Sequence, residues 1–93
     1  MNSVYQAKIR VKGKVQGVWF RAFTREKATE LGVTGWVQNE TDGAVYLEAN
    51  GEKSKLDLFI DKLKQGPERS VVDDVEVEWA PAVDNWTHFD IRY

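Results

Sequence analysis

Twice along this chain a period-two alternation of apolar and polar residues gives way to a helical stripe, and that double switch restricts the fold more tightly than any other feature. Tyr5, Ala7, Ile9 and Val11 alternate with Gln6, Lys8, Arg10 and Lys12, the pattern of a strand with one buried face. From Trp19 onward Phe20, Phe23, Ala28 and Leu31 fall on one helical face, and Gly32 stands where a C′ residue ends a helix. Thr34 to Asn39 reads as a short strand, and Asp42-Gly43 as the turn that returns the chain through Val45, Leu47 and Ala49. The second stripe is Leu56, Phe59, Ile60 and Leu63, stopped by Gly66-Pro67. Val75, Val77 and Trp79 then alternate with Asp74, Glu76 and Glu78, and beyond Pro81 a short run alternates Phe89, Ile91 and Tyr93 with His88, Asp90 and Arg92. The order is β-α-β-β-α-β with a short fifth strand at the C-terminal end. It predicts an α+β, ferredoxin-like sandwich with two helices on one face of a mainly antiparallel sheet.

A chain of 93 residues without an internal linker or low-complexity tract is expected to form a single domain over 1–93. Thirteen Lys and Arg against fifteen Asp and Glu leave a net charge of -2, which offers a polyanion no diffuse attraction, so no nucleic acid is expected as partner. Any preference for an anion has to be local. Cysteine is absent, which removes disulfide and thiolate chemistry, and with His88 the only histidine a zinc site is not expected; carboxylate sites for hard metals stay open. No long apolar run suggests a signal peptide or a membrane span, so a cytoplasmic location is expected. One candidate site in a small domain asks for no more than a monomer.

That site begins at "VKGKVQGVWFRAFTRE", Val11 to Glu26. Gly13 and Gly17 can take backbone angles closed to other residues, so that the N–H groups between them turn toward a common centre; the helix that follows adds its unpaired first-turn N–H groups and the positive end of its dipole. Arg21 lies in that first turn, where the dipole disfavours a cation unless an anion is near, and such local conflicts tend to mark sites. Taken alone, two glycines and an arginine equally describe a turn and a solvated side chain. Neither a Walker lysine pattern nor G-x-G-x-x-G is present, so nucleotide phosphate binding has no direct support. In "GWVQNETDG" Gly35 suggests close approach of another backbone, and Asn39 ends its strand with an amide able to donate and accept, though a turn role is the usual one. His88 and Asp73-Asp74 read as surface residues, and core packing or turn anchoring is the default for the four tryptophans.

"GKVQGVWFR" at Gly13 to Arg21 together with "GWVQNETDGAV" at Gly35 to Val45 resembles the pair of motifs that define the acylphosphatase family, and the likeness continues through Gly51, the second stripe, Gly66-Pro67 and "FDIRY". The resemblance implies hydrolysis of the carboxyl–phosphate bond of small-molecule acylphosphates, with inorganic phosphate as product and inhibitor and with neither cofactor nor metal. It implies that Val15, Gln16, Gly17, Val18, Trp19, Phe20 and Arg21 make the phosphate-binding loop, that Arg21 and Asn39 are catalytic, and that Gly13 and Thr41 support them. The Tyr93 carboxylate or Arg92 is expected to restrain Arg21. Three other readings are a noncatalytic binding module on the same fold, a small-molecule regulatory domain, and a domain that works inside a carbamoyl-transfer or maturation system. Against an RNA-binding module stand "YQAKIRV" and "AVYLEAN", which lack the aromatic runs such domains use for stacking.

Overall fold

The computed structural model describes residues 4–82 and 85–93. β1 (Val4–Lys14), α1 (Phe20–Leu31), β2 (Thr34–Asn39), β3 (Val45–Glu52), α2 (Lys53–Gln65), β4 (Val71–Pro81) and β5 (Phe89–Arg92) follow one another along the chain. The strands make one sheet in the order β4-β1-β3-β2-β5, antiparallel at each pair except β2 with β5, which are parallel. The predicted α+β arrangement is therefore the observed one.

The alternation read in the sequence becomes the core directly. Ala7, Ile9 and Val11 of β1, Val37 of β2 and Val45, Leu47 and Ala49 of β3 meet Phe20 and Ala28 of α1 and Leu56, Phe59, Ile60 and Leu63 of α2 in one cluster. Each large aliphatic or aromatic side chain fully withdrawn there is worth about 1.5–3 kcal/mol. Thr24 joins the buried stripe of α1, a position the apolar pattern passes over; its hydroxyl donates to the Phe20 carbonyl at 2.8 Å, which lets a polar residue enter the core. Gly32 ends α1 in the left-handed conformation, with its N–H on the Thr29 carbonyl and that of Val33 on Ala28.

Several expectations need correction at the edges. Tyr5 and Trp79 are in phase with the core but exposed: they pack edge to face on each other at 6.5 Å, and the Lys53 ammonium at the start of α2 lies 4.4 Å from the centre of the Trp79 ring. Tyr93 lies past the end of β5 and is exposed. None of the four tryptophans belongs to the buried core: Trp19 and Trp79 are exposed, and Trp36 and Trp86 half-buried. The strand preceding the loop also continues through Gly13 to Lys14, with a register shift between Lys12 and Gly13 against β4. Gly13 is needed there for close approach, since a Cβ would fall on the Val71 carbonyl oxygen. His88 and Asp73-Asp74 are exposed, as expected.

The topology also fixes where a site can form. β1 and β2 are both antiparallel to β3, and β5 is parallel to β2, so the C-terminal ends of β1, β2 and β5 reach the same end of the sheet. The loop leaving β1, Asn39 closing β2 and Arg92 closing β5 are thus brought together from positions far apart in sequence.

Candidate functional site

The loop between β1 and α1 is pinned from beneath. Val15, Val18 and Phe20 bury their side chains, while Gly17 and Trp19 between them face outward. Gly17 has φ 72°, and Trp19, the N-cap of α1, has φ 65° and ψ 19°. Trp19 is the one non-glycine residue with positive φ among the described residues. A bulky side chain in that region costs about 1–2 kcal/mol, and backbone strain of this kind persists where the surroundings over-determine it and clusters at functional sites. Among the described residues, the backbone hydrogen bonds outside helices and strands include none donated by the N–H groups of Gln16 to Trp19. Those donors adjoin the first turn of α1, whose N–H groups have no partner within the helix.

The Gln16 side chain does a separate job that its place in the loop did not foretell. Its Nε2 donates to the carbonyl of Glu40 at 2.7 Å and to that of Ala44 at 2.9 Å, which ties the loop to the turn after Asn39. That turn closes on itself through the Glu40 N–H to the Ala44 carbonyl, the Gly43 N–H to the Glu40 carbonyl and the Ala44 N–H to Oδ1 of Asp42. Thr41 is exposed, and its hydroxyl makes no hydrogen bond among the described residues. Gly35, earlier on β2, has φ 145° and lies so close to β3 that a Cβ would fall on the Glu48 carbonyl oxygen, the close approach its position in the strand suggested.

Arg21 is in the first turn of α1, a turn without an acidic residue, and no carboxylate among the described residues forms an ion pair with it. One donor is used: Nη1 reaches the main-chain carbonyl of Arg92 at 3.2 Å. The guanidinium carbon also stands 4.7 Å from the centre of the Tyr93 ring. Both neighbours named in the sequence therefore meet Arg21, Arg92 through its backbone and Tyr93 through its ring. A guanidinium carries five N–H donors, so most of the fork stays open to a further acceptor.

Val15, Gly17, Trp19, Phe20, Arg21, Ala22, Asn39, Ile91 and Tyr93 line one cavity of ≈ 340 Å³. This lies at the small end of the about 300–1,000 Å³ spanned by ligand sites, room for a compact anion with a modest organic group. Val18 is buried beneath the loop and Gln16 turns away toward the Glu40 turn, so neither side chain lines the cavity. Gly13 lies back in the sheet and Thr41 outside. Among the described residues no group of three or more His, Asp or Glu side chains is placed to hold a metal ion.

Comparison with known proteins agrees with the geometry. The family model described as Acylphosphatase matches residues 7–91. An acylphosphatase of Salinibacter ruber is 47% identical over 83 residues, covering 89% of this chain and 87% of its own. The crystal structure of an acylphosphatase from Bacillus subtilis superposes with a TM-score of 0.93 at 36% identity, over 96% of this chain and 99% of its own. An acylphosphatase structure from Coxiella burnetii gives 0.91 at 38% identity, over 97% and 94%.

Proposed function

The chain belongs to the acylphosphatase family, and with membership goes an enzyme that hydrolyses small-molecule acylphosphates; we propose that it does so with the loop, Arg21 and Asn39 alone. The N–H groups from Gln16 to Phe20 and the free donors of Arg21 take the phosphoryl oxygens, and the Asn39 amide holds a water in line with the bond to be broken. Such an outfit suffices because the leaving group is a carboxylate with a pKa of about 4, which needs no protonation by the protein. Phosphoryl transfer through a loose transition state then asks chiefly for position and charge. A neutral amide orients water without supplying a base, and the phosphate oxygens accept its proton. Neither a metal nor a covalent intermediate enters this scheme.

The observation that carries the reading is the shared cavity: Arg21 and Asn39 line the same small space, and among the described residues no carboxylate compensates the charge of Arg21 and no backbone carbonyl claims the neighbouring loop donors. The decisive experiment follows hydrolysis of benzoyl phosphate with EDTA present and measures kcat alongside inhibition by inorganic phosphate. Arg21→Gln loses both turnover and phosphate inhibition. Asn39→Ala keeps phosphate inhibition but loses turnover by about 10²- to 10³-fold, the usual cost of removing one transition-state contact. Equal loss of phosphate affinity in the two variants overturns the division of labour. In the same reading residues 1–93 act as one domain, a cytoplasmic monomer with phosphate as product and inhibitor and with no nucleic acid or membrane as partner. The net charge of -2 supports the lack of a nucleic-acid partner, and among the described residues no helix is long and apolar enough to cross a membrane.

A further inference from the structure

The face of the sheet opposite the helices carries a row of stacked side chains that ends at Arg92, the residue whose carbonyl meets Arg21. The guanidinium carbon of Arg92 lies 4.1 Å from the ring centre of Trp36. Trp36 packs on Tyr46 at 5.6 Å between ring centres, and the guanidinium carbon of Arg10 lies 5.4 Å from the Tyr46 ring. The row is fixed at its far end. Tyr46 donates its hydroxyl to Oε2 of Glu48 at 2.7 Å, and burial together with that carboxylate pushes the phenol well above its ordinary value. Arg10 pairs with Glu40 at 3.5 Å and with Asp42 at 3.8 Å.

The near end matters because of what β5 is. It has four residues and lies at the edge of the sheet, where β2 is its sole strand neighbour among the described residues. Such a strand frays at its end unless side chains hold it. Ile91 holds β5 from the helix side as a half-buried residue packed on the core. On the open side the hold is Arg92, which is paired in register with Gln38 and reaches back across the sheet to Trp36. The carbonyl of this same Arg92 accepts the hydrogen bond from Arg21. One residue thus grips an indole on one face of the sheet with its side chain and the site's guanidinium with its main chain.

We propose that Trp36, through the Arg92 side chain, is a positioning residue for Arg21: the stack on the open face fixes the end of β5 and thereby keeps the guanidinium aimed into the cavity. The inference rests on Arg21 being the phosphate-binding group. Removing the stack leaves the Arg92 carbonyl in the chain but lets it wander, so that Arg21 must be ordered anew each time a phosphoryl group binds. That loss is taken on binding, before chemistry, and it weakens ground state and transition state alike. KM and the inhibition constant of inorganic phosphate therefore rise together while kcat is kept.

The test uses the intact chain with Trp36→Ala, Arg92→Ala, the double variant, Trp36→Phe and Arg92→Lys, with Arg21→Gln alongside. Benzoyl phosphate kinetics and phosphate inhibition are read at a temperature where every variant is folded by circular dichroism. Trp36→Ala and Arg92→Ala each raise the phosphate inhibition constant by about three- to tenfold, the scale of a partly exposed cation–π contact, and kcat changes by less than about twofold. The double variant is no worse than either single, because both remove the same contact. Trp36→Phe and Arg92→Lys, which keep a ring and a cation in place, recover most of the affinity. Additive effects in the double variant overturn the inference, as does unchanged phosphate affinity in both single variants while Arg21→Gln loses it. If Arg21→Gln itself keeps phosphate affinity, the assignment of Arg21 falls and the inference falls with it.

Discussion

Replacing Gln16 tests how the loop is held to the turn that follows Asn39. Its Nε2 donates to two carbonyls, at 2.7 and 2.9 Å, so alanine removes two neutral hydrogen bonds worth about 0.5–1.5 kcal/mol each. Neither carbonyl is left bare: Glu40 O still receives the Gly43 N–H at 3.2 Å and Ala44 O the Glu40 N–H at 2.8 Å. The orphan penalty is therefore avoided, and Gln16→Ala is expected to lose about 1–2 kcal/mol in urea unfolding at unchanged m value. Gln16→Glu is the sharper variant, since at neutral pH it points a carboxylate at two carbonyl oxygens and should destabilise by more than alanine does. Those oxygens favour the protonated acid, so the folded-state pKa of the new glutamate is raised above its unfolded value of about 4.3. The sign follows: the single hydrogen bond that the acid form can donate is present below that unfolded pKa and is lost as pH rises through the folded one. The deficit of Gln16→Glu against wild type is thus small in mild acid and grows toward neutrality, whereas that of Gln16→Ala is flat. On the proposed mechanism, kcat for benzoyl phosphate falls about 10- to 100-fold in both, because a loop displaced by about 1 Å misaligns phosphate and water. A glutamate variant as stable as the alanine variant at pH 7, or a deficit independent of pH, refutes the reasoning.

Two further substitutions probe the backbone. Gly35→Ala places a Cβ on the Glu48 carbonyl oxygen at a φ of 145°, so strain and overpacking together should cost about 3–5 kcal/mol in urea unfolding; a loss below about 1 kcal/mol would show that β2 and β3 can separate freely. Trp19→Gly relieves a left-handed residue that is 80% exposed, and should stabilise by up to about 1 kcal/mol, the strain relieved less the extra entropy of the unfolded glycine; Trp19→Val should do the reverse, and equal stability of the two would refute the strain argument.

The order of elements was legible because the two periods, 2 and 3.6, carry the burial pattern of each element on the chain itself. Ile9, Leu47, Leu56 and Phe59 are buried where those periods put them. Legibility failed where burial depends on what lies opposite. Tyr5 and Trp79 keep the right phase but meet each other and the first, charged residue of α2 rather than an apolar helix face, and what lies opposite is not written in either strand. Thr24 enters the core because its hydroxyl finds a carbonyl one turn back, an option that an apolar count does not register.

The site divides the same way, and the division has a physical reason. Gly17 and Arg21 sit where local rules are strained, a glycine that needs positive φ and a cation at the positive end of a helix, whereas Asn39 at the last position of a strand breaks no rule and stood out only through the paired motifs. The side chain of Gln16 and the carbonyl of Arg92 break no local rule, and their partners lie 24, 28 and 71 residues away. Only the parallel placement of β5 beside β2, and the common direction of β1, β2 and β5, creates those contacts. Local conflict in a sequence thus marks candidates for a ligand site, as at Gly17 and Arg21. The groups that hold them in place are chosen by topology, and for such residues the register of the sheet carries the information that the neighbouring sequence lacks.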